Sequence, residues 1–110
     1  MKLPNAAMAN IREEKLTKYL LNLSHPDGLN KARFFMLCGF SPENPEELRS
    51  ALLTHAQTTS VKETKTNPFG AKYVLEGTLA APDGTYPKIV SIWIIEHEND
   101  YPELVTAYPS

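Results

Sequence analysis

Lys88-Ile89-Val90-Ser91-Ile92-Trp93-Ile94-Ile95 is the most strongly patterned part of the chain, and it consists almost entirely of β-branched, aromatic and other apolar residues. These residue types favour β-strands. The alternation places Val90, Ile92 and Ile94 on one face and Ser91, Trp93 and Ile95 on the other. A strand with apolar residues on both faces lies inside a sheet. We therefore predict that residues 87–96 form a central strand whose Val90, Ile92 and Ile94 face the rest of the core.

The hydrophobic period of the chain changes near residue 58, from 3.6 residues before it to two residues after it. The helical period predicts helices over residues 12–22 and 29–38 and a third that begins after Asn44. The alternating period predicts strands at about 59–66, 71–80, 87–96 and 103–108. Turn residues separate these strands closely, which makes neighbouring strands antiparallel. The prediction is an α+β fold, with about three N-terminal helices packed on one face of a four-stranded antiparallel meander sheet.

The third helix has the clearest start signal. Asn44 is an N-cap residue, Pro45 suits the first helical position, and Glu47 can reach back to the cap. We predict one domain over residues 1–110, helical in 1–58 and a sheet in 59–110. Its predicted core joins the apolar stripes of the helices to one face of the central strand: Leu16, Leu20, Phe35, Leu52, Val90, Ile92 and Ile94.

Composition indicates a globular protein of 110 residues, of which 42% are hydrophobic and 22% charged. No apolar run approaches the ~20 residues that span a membrane. No apolar segment of a secretory signal follows Lys2. A single cysteine, Cys38, excludes an internal disulfide and cysteine-rich zinc sites. We therefore expect a cytoplasmic protein with no membrane partner.

The charge argues mildly against nucleic acid, because the formal net charge is −2 and proteins that hold phosphate backbones usually carry a basic face. The charges are unevenly distributed, however. Residues 1–58 hold seven Lys and Arg against six Asp and Glu, whereas residues 59–110 hold four against seven. A local basic groove is compatible with this distribution, but a globally basic protein is not.

Two short segments carry the candidate chemistry, residues 25–31 and residues 104–109. His25 is the candidate proton carrier, because histidine is the side chain most often used for general acid–base catalysis. Lys31 lies in the first turn of a predicted helix, where the helix dipole disfavours a cation, and a shared anion would explain its presence. Thr106 and Tyr108 share one face of the last strand and can donate hydrogen bonds. This set of groups suits metal-free cleavage of a phosphodiester.

We assign catalysis to His25, Lys31, Thr106 and Tyr108, and substrate binding to Trp93, by base stacking, and to Lys72. No metal or other cofactor is predicted, because the three histidines are far apart and show no metal-ligand spacing. A structural interpretation stands beside each assignment. His25 can simply end a loop, Lys31 can be solvated, and the strand residues reflect β-propensity, with Trp93 in the core. The strand register decides which residues share a face.

The chain resembles a small uncharacterised bacterial domain family. The residues that carry this resemblance are Leu3-Pro4-Asn5-Ala6, Glu14-Lys15-Leu16-Thr17-Lys18-Tyr19-Leu20-Leu21-Asn22, His25-Pro26-Asp27-Gly28, Lys31-Ala32-Arg33-Phe34, Gly39-Phe40, Trp93-Ile94-Ile95 and Leu104-Val105-Thr106-Ala107-Tyr108-Pro109. A more distant resemblance is to the barnase–EndoU–colicin–RelE superfamily of RNase toxins. These are similar in having helices before a four-stranded antiparallel sheet, a His/Lys pair near an early helix and a Thr-x-Tyr on a late strand. The chain departs from such toxins in being acidic and in lacking a second histidine beside His25.

Three functional classes follow. The resemblance to RNase toxins implies a metal-independent endoribonuclease, with RNA as its partner. The open face of the sheet is also compatible with a non-catalytic module that binds a protein. The acidic residues of the loop 96–103 would suit an immunity-like accessory protein that meets a basic partner.

Overall fold

The computed structural model describes residues 1–110, which begin with a short 3-10 turn at Ala6–Met8. Helix α1 starts as an α-helical turn, Glu13–Lys15, and continues as a π-helix, Leu16–Leu20; α2 spans Leu29–Leu37 and α3 spans Pro45–Thr58. The strands are β1, Val61–Asn67; β2, Gly70–Thr78; β3, Lys88–Glu96; and β4, Glu103–Pro109. The predicted α+β fold, three helices followed by a four-stranded antiparallel sheet, is confirmed. None of the helices is both long and apolar enough to cross a membrane.

The strands follow one another across the sheet in the order β1-β2-β3-β4, and every pair is antiparallel. β3 is therefore an interior strand, and β4 is an edge strand. The β3–β4 register shifts by one residue, because Ile92 pairs with Thr106 whereas Trp93 pairs with Leu104. The extra residue is Val105, and such a bulge re-aims the side chains that follow it.

The predicted orientation of β3 is wrong. Ile89, Ser91 and Trp93 face the helices and are each 0% exposed, whereas Ile92 and Ile94 are only half-buried on the opposite, outer face. Val90 also lies on the outer face and is 9% exposed. The predicted core residues of the helices are confirmed as members of one buried cluster: Leu16, Leu20, Phe35 and Leu52.

A buried hydrogen-bond chain explains why β3 turns its serine inward. The indole Nε1–H of Trp93 donates to Ser91 Oγ over 2.9 Å, and Ser91 Oγ lies 2.7 Å from His55 Nε2. His55 Nδ1 lies 3.0 Å from the carbonyl oxygen of Thr78. Because that carbonyl can only accept, Nδ1 carries the proton, and Nε2 accepts from the serine hydroxyl. Each polar side-chain group in this series of hydrogen bonds has a partner, so burying Ser91 and His55 avoids the cost of an unsatisfied donor or acceptor.

The start of α3 and the end of α2 lie where the sequence signals predict them, but the predicted side-chain cap of α3 is not formed. Pro45 is the first residue of α3, as predicted, but the side chain of Asn44 makes no capping bond. The backbone carbonyl of Asn44 instead accepts from the Glu47 N–H over 3.3 Å. After α2, Gly39 adopts a left-handed φ of 103°, which favours glycine and stops the helix.

We predict that Ile89→Ala lowers the free energy of unfolding by about 2–5 kcal/mol, because it removes a fully buried side chain. Ile92→Ala, on the outer face of the same strand, should cost markedly less, since its side chain is only half-buried in the folded state. Urea denaturation of the two variants measures both losses. An equal or larger loss for Ile92→Ala would contradict the observed orientation of β3.

We also predict that the protein loses stability as the pH falls from 7 towards 5. Burial lowers the pKa of His55, and the hydrogen bond to Thr78 opposes this only in part. The unfolded chain, with a histidine pKa of about 6.5, therefore binds a proton that the folded chain resists, so the free energy of unfolding falls below that pH. His55→Gln should show a smaller pH dependence in urea denaturation, and His97→Gln, at an exposed position, should match the wild type. The same pH dependence in all three proteins would contradict the assignment to His55.

Candidate active site

Three polar side chains meet where α1, α2 and β4 come together. Lys31, the third residue of α2, extends to β4, where its Nζ donates to Thr106 Oγ1 over 2.9 Å. The same Nζ donates to the hydroxyl of Tyr19 in α1, and that hydroxyl lies 3.4 Å from Thr106 Oγ1. All three residues are half-buried. We call Tyr19, Lys31 and Thr106 the hydroxyl–lysine cluster.

Close packing between α1 and the turn before α2 holds Tyr19 in place. Gly28, directly before α2, is buried, and a Cβ atom added to it would lie 2.7 Å from the carbonyl oxygen of Tyr19. A residue with a side chain would push α1 and α2 apart. Tyr19 itself lies in the π-helical part of α1, and such segments are frequent at functional sites.

Lys31 makes no ion pair with a carboxylate. Its positive charge is met by two hydroxyl oxygens and by the ring of Tyr19, whose centroid lies 4.7 Å from Nζ. The structural alternative for Lys31, a solvated lysine, therefore does not describe its position, because the side chain is half-buried and bonded to two hydroxyls. An anion placed against the cluster would find a cation already held in position by two hydrogen bonds.

The cluster lowers the pKa of Tyr19. Burial alone would raise the pKa of the phenol, but the hydrogen bonds from Lys31 and Thr106, together with the charges of Lys31 and Lys15, outweigh it. The net effect places the pKa below the ordinary value of 10.0. Tyr19 therefore loses its proton at a lower pH than a free tyrosine does, and the resulting phenolate oxygen can accept a proton.

His25 lies beside the cluster but is held as a hydrogen-bond acceptor. Its ring stands edge-on to the ring of Tyr19, with 5.0 Å between centroids. His25 Nδ1 accepts the backbone N–H groups of Asp27 and Gly28, each over 3.1 Å. With Nδ1 occupied, the neutral ring carries its proton on Nε2, which is then free to donate rather than to accept.

Tyr108 lies on the outer face of the sheet together with Thr106, and its ring centroid is 5.8 Å from Lys31 Nζ. Lys72 is half-buried on the same face, but in β2, two strands away from Thr106. Trp93 requires a correction. It lies on the opposite, helix-facing side, 0% exposed, with its indole N–H already bonded to Ser91, so its ring has no open face for stacking on a base.

Tyr19 is the residue of the site that the sequence analysis missed, because its position on the apolar stripe of α1 reads as a core residue. Two signals were available. A tyrosine on a buried stripe needs a partner for its hydroxyl. Lys15 precedes it by four residues, a spacing that places both side chains on one face of a helix.

A groove of about 500 Å³ opens beside Tyr19. It is lined by α1 and the His25 turn: Arg12, Glu14, Lys15, Lys18, Tyr19 and His25. We call it the basic groove. Nowhere in the structure are three histidine, cysteine, aspartate or glutamate side chains grouped as metal ligands.

The fold recurs in a solved structure. A chain of the contact-dependent growth inhibition toxin–immunity protein complex from Klebsiella pneumoniae 342 superposes with a TM-score of 0.74 over 96% of each chain, at 13% sequence identity. At this identity the likeness establishes a shared fold alone. No curated protein matches the sequence significantly. The model of a family described as a domain of unknown function, DUF6883, matches residues 2–110, and the chain therefore belongs to that uncharacterised family.

Proposed function

We propose that this protein is a metal-independent endoribonuclease that cleaves RNA through attack by the 2′-oxygen. The observation that carries the proposal is the convergence of Lys31, Tyr19 and Thr106 from three separate elements, with His25 and Tyr108 beside them. A held cation, a phenol of lowered pKa and several hydrogen-bond donors are the groups that such a reaction needs when the protein supplies no metal.

Tyr19 and Lys31 are the proposed proton carriers. The phenolate of Tyr19 takes the proton from the ribose 2′-hydroxyl, and the 2′-oxygen forms a bond to phosphorus. The bond from phosphorus to the 5′-oxygen breaks, and the ammonium of Lys31 gives that oxygen a proton. The products are a 2′,3′-cyclic phosphate and a 5′-hydroxyl, so atoms and charges balance without a cofactor.

Thr106, His25 and Tyr108 are proposed to stabilise the charge on the phosphate. Thr106 Oγ1 accepts from Lys31, and its single proton is proposed to turn from Tyr19 to a phosphate oxygen once the phenolate has taken up the proton of the 2′-hydroxyl. His25 donates through Nε2 because Nδ1 is engaged with the backbone. His25 was predicted from the sequence to carry the proton. In this proposal it donates a hydrogen bond to the phosphate instead, and Tyr19 carries the proton.

The resemblance to RNase toxins supports this proposal at the level of architecture. That resemblance implies helices before a four-stranded antiparallel sheet, with its polar residues on an early helix and a late strand. α2 supplies Lys31, and β4 supplies Thr106 and Tyr108. The similar fold of a chain from a toxin–immunity protein complex points the same way, towards a toxin-related role.

A non-catalytic or immunity-like module that binds a protein is the second candidate. It is favoured by an apolar patch on the outside of α2 and the loop before it, where Leu37 is 84% exposed and Leu23 is 48% exposed. Met36 and Arg33 complete the lining of a shallow groove there. The complex that contains the similar chain is itself an assembly of two proteins, which agrees with a protein partner.

We predict that Tyr19→Phe lowers the rate of RNA cleavage by about 10²–10⁴-fold, the range for loss of one acid–base group. The measurement is single-turnover cleavage of a fluorescent oligoribonucleotide in excess EDTA. Tyr86→Phe is the matched control, because it removes the same hydroxyl from an exposed residue in the loop before β3. The wild-type rate should rise with pH up to the lowered pKa of Tyr19, and this rise should be absent in Tyr19→Phe.

His25→Asn separates the donor role of His25 from its role in the turn. The asparagine oxygen can still accept the two backbone N–H groups, but the side chain lacks the reach of Nε2. We expect a smaller loss of rate than in Tyr19→Phe. A folded wild-type protein that cleaves no RNA, or equal rates for Tyr19→Phe and Tyr86→Phe, would contradict the proposed catalysis and favour the protein-binding module.

A further inference from the structure

We propose that the basic groove holds the phosphate next to the scissile one, so that the substrate is an extended RNA strand rather than a dinucleotide. This inference rests on the proposed function, because it places the scissile phosphate at the hydroxyl–lysine cluster. The strand would run from Lys31 and Thr106, past the ring of Tyr19, to Lys15 and Lys18.

The free charge of the groove is positive. Lys15 and Lys18 make no ion pair with any carboxylate. Arg12 is neutralised by Glu103, whose Oε1 lies 2.6 Å from its Nε, and Glu14 is the one acidic residue of the lining. A chain with a formal net charge of −2 thus keeps two unpaired ammonium groups at the rim of one groove. Such local concentration of charge is typical of a surface that binds an anion.

The ring of Tyr19 joins the groove to the cluster. Lys15 Nζ lies 5.2 Å from the centroid of this ring, and Lys31 Nζ lies 4.7 Å from the same centroid. Two ammonium groups from different helices therefore stand close to one phenol. One phosphate at the cluster would be bound by Lys31, whereas Lys15 and Lys18 would remain without an anionic partner. Consecutive phosphates of an RNA strand supply an anion at each of these two positions.

The volume of the groove and its hydrogen-bond donors suit a nucleotide as ligand. Its volume of about 500 Å³ is in the range of small-molecule sites, and His25 adds a neutral donor, Nε2–H, to its wall. A groove of similar volume, about 510 Å³, lies along α3, but Glu46 and Glu47 line it and would repel phosphate. Among the two grooves of this size, only the basic groove suits a phosphate chain.

The test measures binding without chemistry. Fluorescence anisotropy follows the binding of a fully 2′-O-methylated hexanucleotide, which cannot be cleaved by 2′-attack, over a range of salt concentrations. The wild type should bind it more tightly than the corresponding dinucleotide. Lys18→Ala should bind more weakly and reduce the slope of log affinity against log salt by about 0.7, the contribution of one phosphate contact to a single strand. Lys15→Ala should have a similar effect.

Lys65→Ala is the control, because it removes the same charge from an exposed position in β1, at the far edge of the sheet from β4. Its slope should equal that of the wild type. An unchanged slope in Lys18→Ala, or an equal reduction in Lys65→Ala, would overturn the groove assignment even if the protein cleaves RNA. A reduced slope in Lys18→Ala alone, with unmodified RNA left intact, would support a phosphate site in the groove. The same outcome would contradict the proposed catalysis and, with it, the position of that phosphate next to a scissile one.

Discussion

The hydrogen bond between Ser91 and His55 allows β3 to bury the face that carries Ser91 and Trp93 without an unsatisfied polar group. It satisfies the serine hydroxyl and, through it, the indole of Trp93 inside the core. With Ser91 and Trp93 inward, the bulge at Val105 turns both Leu104 and Ala107 towards the helices, although residues three apart on a regular strand would face opposite sides. Thr106 and Tyr108 consequently lie on the outer face, at the edge strand, where Lys31 can reach them.

The architecture was predictable because it depends on local signals. The change of hydrophobic period near residue 58, the Asn44-Pro45 start of α3 and the stop at Gly39 each act within a few residues. The orientation of β3 was not predictable from hydrophobicity, since Val90, Ile92 and Ile94 form the more apolar face. The buried serine of the opposite face has its hydrogen-bond partner in a histidine 36 residues earlier in the chain. Only the packing of α3 on the sheet brings those two residues together.

In the candidate site too, some residues could be predicted from the sequence and others only from the fold. His25, Lys31, Thr106 and Tyr108 could be proposed from their chemical types, and the structure places them in one region. Tyr19 could not be proposed in the same way, because its proposed role depends on Lys31 and Thr106 at its hydroxyl and on Lys15 over its ring, which only the fold brings together. Trp93 was assigned to RNA from its type alone, and its burial removes it from that role.

Attack by the 2′-oxygen determines which chemical groups stand at the two new RNA ends. Mass spectrometry of the fragments produced by the wild-type protein in excess EDTA identifies these end groups directly. The proposed roles of Tyr19 and Lys31 predict a 2′,3′-cyclic phosphate on one fragment and a 5′-hydroxyl on the other. Fragments that end in a 3′-hydroxyl and a 5′-phosphate would contradict them, because water rather than the ribose oxygen would then be the nucleophile.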